Sequence, residues 1–239
     1  MQLKFGIIGC GKIAEKRSNF LNKNEIIVCY DKNKSIMKQF SNKYNCQVAN
    51  NVDEILNNKN INSVIISTYH NSLSNLTYRA NKKKLNILVE KPAGKNLKEI
   101  KYLLKNIERN NIKNIIQVGY NHRYHPAVIK VLNLLKNKRR TGNIMYLRAR
   151  YGHGGRLKYN LEWRAKKELS GGGELIDQGS HLIDLSRLFL GEFERLKSEV
   201  VTKFWKMKVE DNAFMILTNK RNQIAHLHCS CTEWKNLFS

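Results

Sequence analysis

The sequence predicts an α/β fold: an N-terminal doubly wound parallel sheet followed by an α+β domain with an open, largely antiparallel sheet. Three observations carry that reading. The chain opens on an apolar run, Phe5 to Ile8, that breaks into glycines and then enters a helical segment. Over its first half, short apolar runs alternate with segments of helical spacing, the rhythm of βαβ units. Towards its end, apolar and polar residues alternate with period two, as in an antiparallel sheet.

The opening stretch is the most telling. Gly9, Gly11 and Ala14 form a G-x-G-x-x-A pattern. The first glycine permits a tight turn, the second lets backbone approach a pyrophosphate, and the small residue keeps helix close to strand. N–H groups at the helix start then hold the phosphates. This assigns Gly9, Cys10, Gly11, Lys12 and Ile13 to a dinucleotide. A second apolar run, Ile26 to Tyr30, ends in Asp31, twenty residues after Gly11. An acid there hydrogen-bonds the adenosine ribose hydroxyls. Asp31 also repels a 2′-phosphate, so the expected cofactor is NAD; Lys32 and Lys34 beside it keep NADP as the alternative.

Residues 35–44 follow as a helix with Ile36, Met37 and Phe40 as its apolar stripe, then a short helix over Val52 to Leu56. Residues 61–67 read as a continuous apolar strand of a sheet buried on both faces. Thr68, Tyr69 and His70 come next, at the strand end where open α/β sheets bind ligands. A helix over 73–81 and a strand over Asn86 to Val89 lead into Glu90-Lys91-Pro92. A helix over 97–107 and a strand over 114–119 lead into a polar segment ending His122-Arg123-Tyr124-His125-Pro126.

Residues 128–135 then read as a helix, and 144–151 alternate and open the second sheet. Three glycines, Gly171, Gly172 and Gly173, deliver the chain to a helix beginning near Glu174. On it Asp177, His181 and Asp184 stand at i, i+4 and i+7, on one face, with Leu175, Ile176, Leu182, Ile183 and Leu185 as core. Strands are expected over 200–205, 213–218 and 224–231. In the last, alternation puts His226 and His228 on one face and Cys229 and Cys231 on the other, so one strand cannot offer all four to a metal. No metal site is assigned.

This order of motifs resembles the glucose–fructose oxidoreductase / inositol dehydrogenase / rhizopine-catabolism (Gfo/Idh/MocA) family, whose mark is E-K-P after a Rossmann half. The resemblance covers essentially the whole chain. It implies an NAD(P)-binding Rossmann domain over residues 1–121 and a substrate and oligomerisation domain over 122–239. It places Glu90 and Lys91 at the cofactor, Arg123 and Arg164 at the substrate, and a catalytic Asp and His at Asp177 and His181. Family members usually carry a proline and a histidine in the loop after Thr68, where Tyr69 and Leu73 stand here.

The implied activity is hydride transfer between a nicotinamide and a secondary alcohol of a sugar, cyclitol or nucleotide sugar. His181 is the expected base, since an imidazole titrates near neutrality. Asp177 would orient it or bind an adjacent hydroxyl, and Lys91 would hold the reacting oxygen and stabilise alkoxide charge; the Lys and His roles are exchangeable. Two other classes fit the motifs: a non-catalytic dinucleotide-binding regulator, and an enzyme using held NAD for hydrolysis or epimerisation through a transient ketone.

Composition sets the remaining expectations. Apolar residues make up 41%, with no run long enough to span a bilayer. Met1 leads directly into the first strand and the five cysteines have no framework spacing, so a cytoplasmic protein with reduced thiols is expected. The net charge of +24 is spread over lysines interleaved with asparagine, a compositional bias rather than a nucleic-acid surface. Arg123, Arg148, Arg150, Arg156 and Arg164 point to an anionic substrate, against the reading that they only express the overall charge. Family members usually continue beyond the last strand, so the chain reads as truncated, with an unpaired sheet edge prone to association; a homo-oligomer through the C-terminal sheet is expected where that sheet is complete.

Overall fold

The computed structural model describes residues 2–239. The chain divides into two compact units, one ending at Gly119 and one beginning at Tyr120.

The first unit runs β1 (Phe5–Ile8), α1 (Lys12–Ser18), β2 (Ile26–Tyr30), α2 (Lys34–Tyr44), β3 (Gln47–Val48) and α3 (Val52–Leu56). It continues through β4 (Ser63–Ile66), α4 (His70–Lys82), β5 (Asn86–Val89), α5 (Leu97–Asn110) and β6 (Ile116–Val118). Its sheet has the order β3-β2-β1-β4-β5-β6, and every neighbouring pair is parallel. Successive strand residues point to opposite faces, which builds two cores. Ile7, Cys29 and Ile65 pack with Ala14, Phe40 and Tyr44. Ile8, Val28, Val64, Ile66, Ile87 and Val89 pack with Ile55, Leu73, Leu76 and Ala80. This is the doubly wound sheet; its order reverses between β1 and β4, the switch point where ligands bind.

Two details differ from expectation. The stripe of α2 is Met37, Phe40 and Tyr44, while Ile36 is 38% exposed. The asparagines are not only surface bias. Asn33, Asn51 and Asn96 cap α2, α3 and α5, their side chains accepting first-turn N–H groups. Asn45 and Asn111 close α2 and α5 in the left-handed region, which asparagine tolerates well. Each N-cap contributes about 1 kcal/mol.

The second unit starts with a 3-10 turn, Asn121–Tyr124, followed by α6 (Pro126–Leu135) and α7 (Lys138–Thr141). Next come β7 (Tyr146–Gly152), α8 (Lys167–Ser170), a π-helical turn (Leu175–Gly179) and α9 (Ser180–Leu190). The strands β8 (Phe193–Val201), β9 (Asn212–Asn219), β10 (Ile224–Ser230) and β11 (Leu237–Phe238) complete it. The sheet order is β11-β7-β10-β9-β8; β10 and β7 are parallel and the other pairs antiparallel. One face is covered by α9: Leu182 and Leu190 pack on Ala213, Met215, Leu217, Ala225, Leu227 and Cys229.

The strand expected over 200–205 is a correction: the strand is β8, Phe193–Val201, and the chain leaves the sheet after it. The cause is Asp211, wholly buried, whose carboxylate accepts the N–H groups of Lys203, Phe204 and Trp205 at 2.7–3.0 Å and bends the segment around itself. β8 escaped the alternation test because it is an edge strand. It carries Glu194, Arg195, Lys197 and Glu199, the charges by which edge strands resist further pairing.

Candidate active site

In the first unit the glycine turn is fixed by backbone. Gly9 has φ +90°, and a Cβ there would lie 2.7 Å from the Ser67 carbonyl oxygen, so only glycine fits. Its N–H donates to the Tyr30 carbonyl at 2.9 Å, and the Ser67 hydroxyl donates to its carbonyl at 2.8 Å. Gly11, the residue before α1, behaves oppositely: a Cβ on it would meet nothing within 4 Å. That open space, at a helix start with no side-chain cap, is what a pyrophosphate needs. Cys10 is buried, while Lys12 and Ile13 stand exposed on the first turn.

Asp31 is tied to this turn. One carboxylate oxygen accepts the Cys10 N–H and the other the Asn33 N–H, both at 2.8 Å. Each oxygen retains acceptor capacity for a ribose hydroxyl. Lys32 follows it, exposed. At the end of β4, the Thr68 hydroxyl pairs with Ser72 at 2.7 Å, Tyr69 is half-exposed, and His70 is buried as the first residue of α4. The donor set fits NAD: a glycine turn, a helix start and an acid at the end of β2.

Glu90 sits at the end of β5, nearly buried. Arg17 of α1 donates to its Oε1 at 2.7 Å and reaches the Gly119 carbonyl at 3.3 Å. The E-K-P segment is thereby bolted to the glycine-turn helix, and Lys91, partly exposed, follows directly. Arg17 was not singled out by the sequence; an arginine near a helix end has no local signature for a partner 73 residues away.

In the second unit Asp177 and His181 straddle the junction between the π-helical turn and α9, rather than lying on one regular helix. Single π turns occur frequently at functional sites. His181 is 4% exposed, and its Nδ1 lies 2.8 Å from Nδ1 of His122, on the 3-10 turn. Tyr120 and Tyr151 present their rings to His181 at centroid distances of 5.6 and 5.9 Å. Burial pushes both phenols above their ordinary values, so neither ionises near neutrality. Asp177 accepts from Arg164 Nε at 2.8 Å, and the Arg164 guanidinium stacks on Trp163.

A second buried group adjoins this face. Tyr159 donates its hydroxyl to the wholly buried Glu174 at 2.6 Å, with His153 3.6 Å from the other oxygen. Burial lowers the His153 pKa and raises that of Tyr159.

The five arginines are dispersed. Arg123 forms a bidentate pair with Asp184, at 2.8 and 2.6 Å. Arg150 pairs with Glu233, Arg156 with Glu162, and Arg164 with Asp177. Arg148 and Arg150 stand on the sheet face opposite Leu147, Ala149 and Tyr151, hence opposite α9 and His181. On β10, His226 and His228 share that outer face; His228 stacks on Phe214 and lies 3.0 Å from Asn212 Oδ1. All five cysteines are buried free thiols, with the neighbouring Cys10 pushing Cys29, and burial pushing Cys229, up to about 12.

Comparison with known proteins gives this arrangement its relatives. Residues 3–120 match the model of the oxidoreductase family, NAD-binding Rossmann fold, and residues 130–237 match the Gfo/Idh/MocA C-terminal domain. Oxidoreductase P35 of Formosa agariphila is 30% identical over 207 residues, covering 82% of this chain and 63% of that protein. Levoglucosan dehydrogenase of Pseudarthrobacter phenanthrenivorans is 27% identical over 150 residues, covering 62% of this chain and 38% of that protein. The chain thus spans less than two thirds of the length of these relatives. Among solved structures, levoglucosan dehydrogenase in complex with NADH superposes with a TM-score of 0.90 at 19% identity, covering 100% of this chain and 70% of that one. With a glycine turn, an E-K-P segment and an Asp-His pair in these places, and family models matching both units, the chain belongs to the Gfo/Idh/MocA oxidoreductase family.

Proposed function

We propose that the protein is an NAD-dependent dehydrogenase acting on a secondary alcohol of a sugar-type polyol. The observation that carries this is His181: a buried imidazole, held at Nδ1, in a chain that also bears an NAD-binding domain. Gly9, Cys10, Gly11, Lys12 and Ile13 would hold the pyrophosphate, Asp31 and Lys32 the adenosine ribose, and Thr68, Tyr69, His70, Glu90 and Lys91 the nicotinamide half. The bound nicotinamide supplies a hydride acceptor. His181 takes the hydroxyl proton, Lys91 steadies the developing alkoxide, and Asp177, held by Arg164, orients the substrate. Residues 1–121 would serve as the cofactor domain and 122–239 as the substrate and oligomerisation domain, in a cytoplasmic homo-oligomer.

The sugar type is supported by the matched levoglucosan dehydrogenase sequence and by the polar pairs around His181. An anionic substrate draws support from the net charge of +24, whereas the pairing of Arg123, Arg150, Arg156 and Arg164 with carboxylates favours a neutral one. We therefore favour a neutral polyol. No helix among the described residues is long and apolar enough to cross a membrane.

The test is NAD reduction against a panel of neutral sugars, cyclitols, uronates and nucleotide sugars, followed by NADP with the best substrate. Turnover with a neutral sugar exceeding that with its uronate supports the reading. The reverse order restores the anionic substrate. NADP turnover equal to that with NAD removes the role given to Asp31. Bound NAD with no net reduction, yet conversion of the sugar, moves the protein to the hydrolysis or epimerisation class.

A further inference from the structure

We propose that His122 is the positioning residue for His181: it accepts the Nδ1 proton of His181 and so leaves Nε2 of His181 as the base. The inference rests on the reading of His181 as the acid–base group.

The chemistry follows from one distance. A neutral imidazole carries one N–H, on one of its two nitrogens. Two Nδ1 atoms 2.8 Å apart therefore form a hydrogen bond only if one is protonated and the other is not. If His181 is the donor, its Nε2 has a lone pair and His122 carries its proton on Nε2. If His122 were the donor, His181 would present an N–H and could not accept a proton. Oxidation of an alcohol requires the first arrangement.

The ring of His122 is held in place for this. It stacks on Phe238 of β11 at 4.7 Å and 26°, and meets the edge of Tyr151 of β7 at 5.1 Å. The rings of His122 and His181 are nearly perpendicular, at 4.2 Å. Three elements far apart in sequence thus lock one imidazole against another.

The arrangement has the logic of a base and its orienting partner, with an imidazole where a carboxylate often stands. Tyr120 and Tyr151 face the pair through ring contacts, and Asp177 with Arg164 and Asp184 with Arg123 flank it along the chain. Both phenols are held neutral by burial, and each of the two carboxylates has an arginine on it. A neutral acceptor stabilises the imidazolium without fixing it. A carboxylate in the same place would raise its pKa and weaken it as an acid in the reverse reaction.

The proton step balances simply. The substrate O–H bond breaks, an N–H bond forms at Nε2 of His181, and the Nδ1–H stays donated to His122. The electron pair of the substrate C–H bond leaves as hydride to the nicotinamide.

Three variants and one spectrum test this on the whole chain. His122→Phe keeps a ring but removes the acceptor, and should lower kcat by about 10–100-fold, the loss of a hydrogen bond to a charged group. His122→Asn, which offers an oxygen near the Nδ1 position, should recover most of that. His122→Asp should move the acid limb of the pH profile upward by about one unit or more. Independently of turnover, 15N NMR of the NAD-bound wild type should show a protonated Nδ1 on His181 and an unprotonated Nδ1 on His122. Unprotonated Nδ1 on both rings overturns the proposal even if His122→Phe does not fold. So does a His122→Phe protein with wild-type kcat and pH profile while His181→Asn is inactive. Full turnover in His181→Asn instead sinks the underlying role of His181.

Discussion

In the first unit, the groups that would meet a dinucleotide are mostly backbone: the turn at Gly9, the bare Cα of Gly11 and the start of α1. In the second, the candidate site is built of side chains held in pairs: His122 with His181, Arg123 with Asp184, Arg164 with Asp177. A backbone site depends on which residue lacks a side chain and on the sheet beneath it. A paired site depends on partners drawn together from distant elements. The two therefore fail differently under substitution.

The largest effect is expected where chemistry rests on one side chain. His181→Ala and Lys91→Ala should each lower turnover by about 100- to 10,000-fold, the range for losing an acid–base or oxyanion contribution. NAD affinity, measured by calorimetry, should stay within about tenfold of wild type, because His181 is given no cofactor contact and Lys91 only one among the many proposed for the dinucleotide. A variant that loses both turnover and NAD binding would place its residue in the cofactor site rather than in the chemistry.

The backbone side of the comparison is sharpened by treating two glycines alike. Gly9→Ala forces a Cβ into a left-handed turn and within 2.7 Å of the Ser67 carbonyl oxygen. Its cost should be about 3 kcal/mol or more in denaturant unfolding, strain and overpacking together. Gly11→Ala meets no neighbour within 4 Å. Its stability should change by no more than about 0.5 kcal/mol, while NAD binding weakens because the methyl occupies the pyrophosphate's approach. Equal stability losses in the two variants would break the distinction.

The same contrast explains what the sequence made legible. The doubly wound sheet could be read because each strand and helix carries its own period, and Gly9, Gly11 and Asp31 sit at fixed offsets along one βαβ unit. Asp177 and His181 were singled out by spacing and resemblance, although the turn that carries Asp177 is π-helical, which no residue pattern here announced. Their partners were hidden. His122 reaches His181 across 59 residues, with Phe238 of β11 and Tyr151 of β7 packed against its ring. The ion pairs of Arg123, Arg150, Arg156 and Arg164 were hidden for a related reason: their positions in the chain gave no sign of the carboxylates that bind them. A two-residue strand such as β11 is too short to show a period, so what depends on it stays unread.

The last of the expected effects, a dependence of stability on pH, concerns Asp211, a paired group of the second unit that serves the fold rather than the chemistry. Burial by itself would push this carboxyl up, but the N–H groups of Phe204, Trp205 and Lys203, with the Asn212 side chain, outweigh it and hold the pKa below the ordinary carboxylate value. Between those two values the unfolded chain binds more protons at this group than the folded one, so stability rises with pH there. The contribution is complete above the unfolded value of about 4 and is lost as pH falls through the lower folded value. Asp211→Asn keeps one acceptor oxygen and turns an N–H towards backbone donors, at a cost of about 1–3 kcal/mol at pH 7. Urea unfolding of both proteins at pH 7, 5 and 3 should show the gap constant between the first two and narrowing at the third. A gap that widens in acid would mean that the carboxyl is protonated more readily in the folded state, and that burial, not the ring of N–H groups, governs this turn.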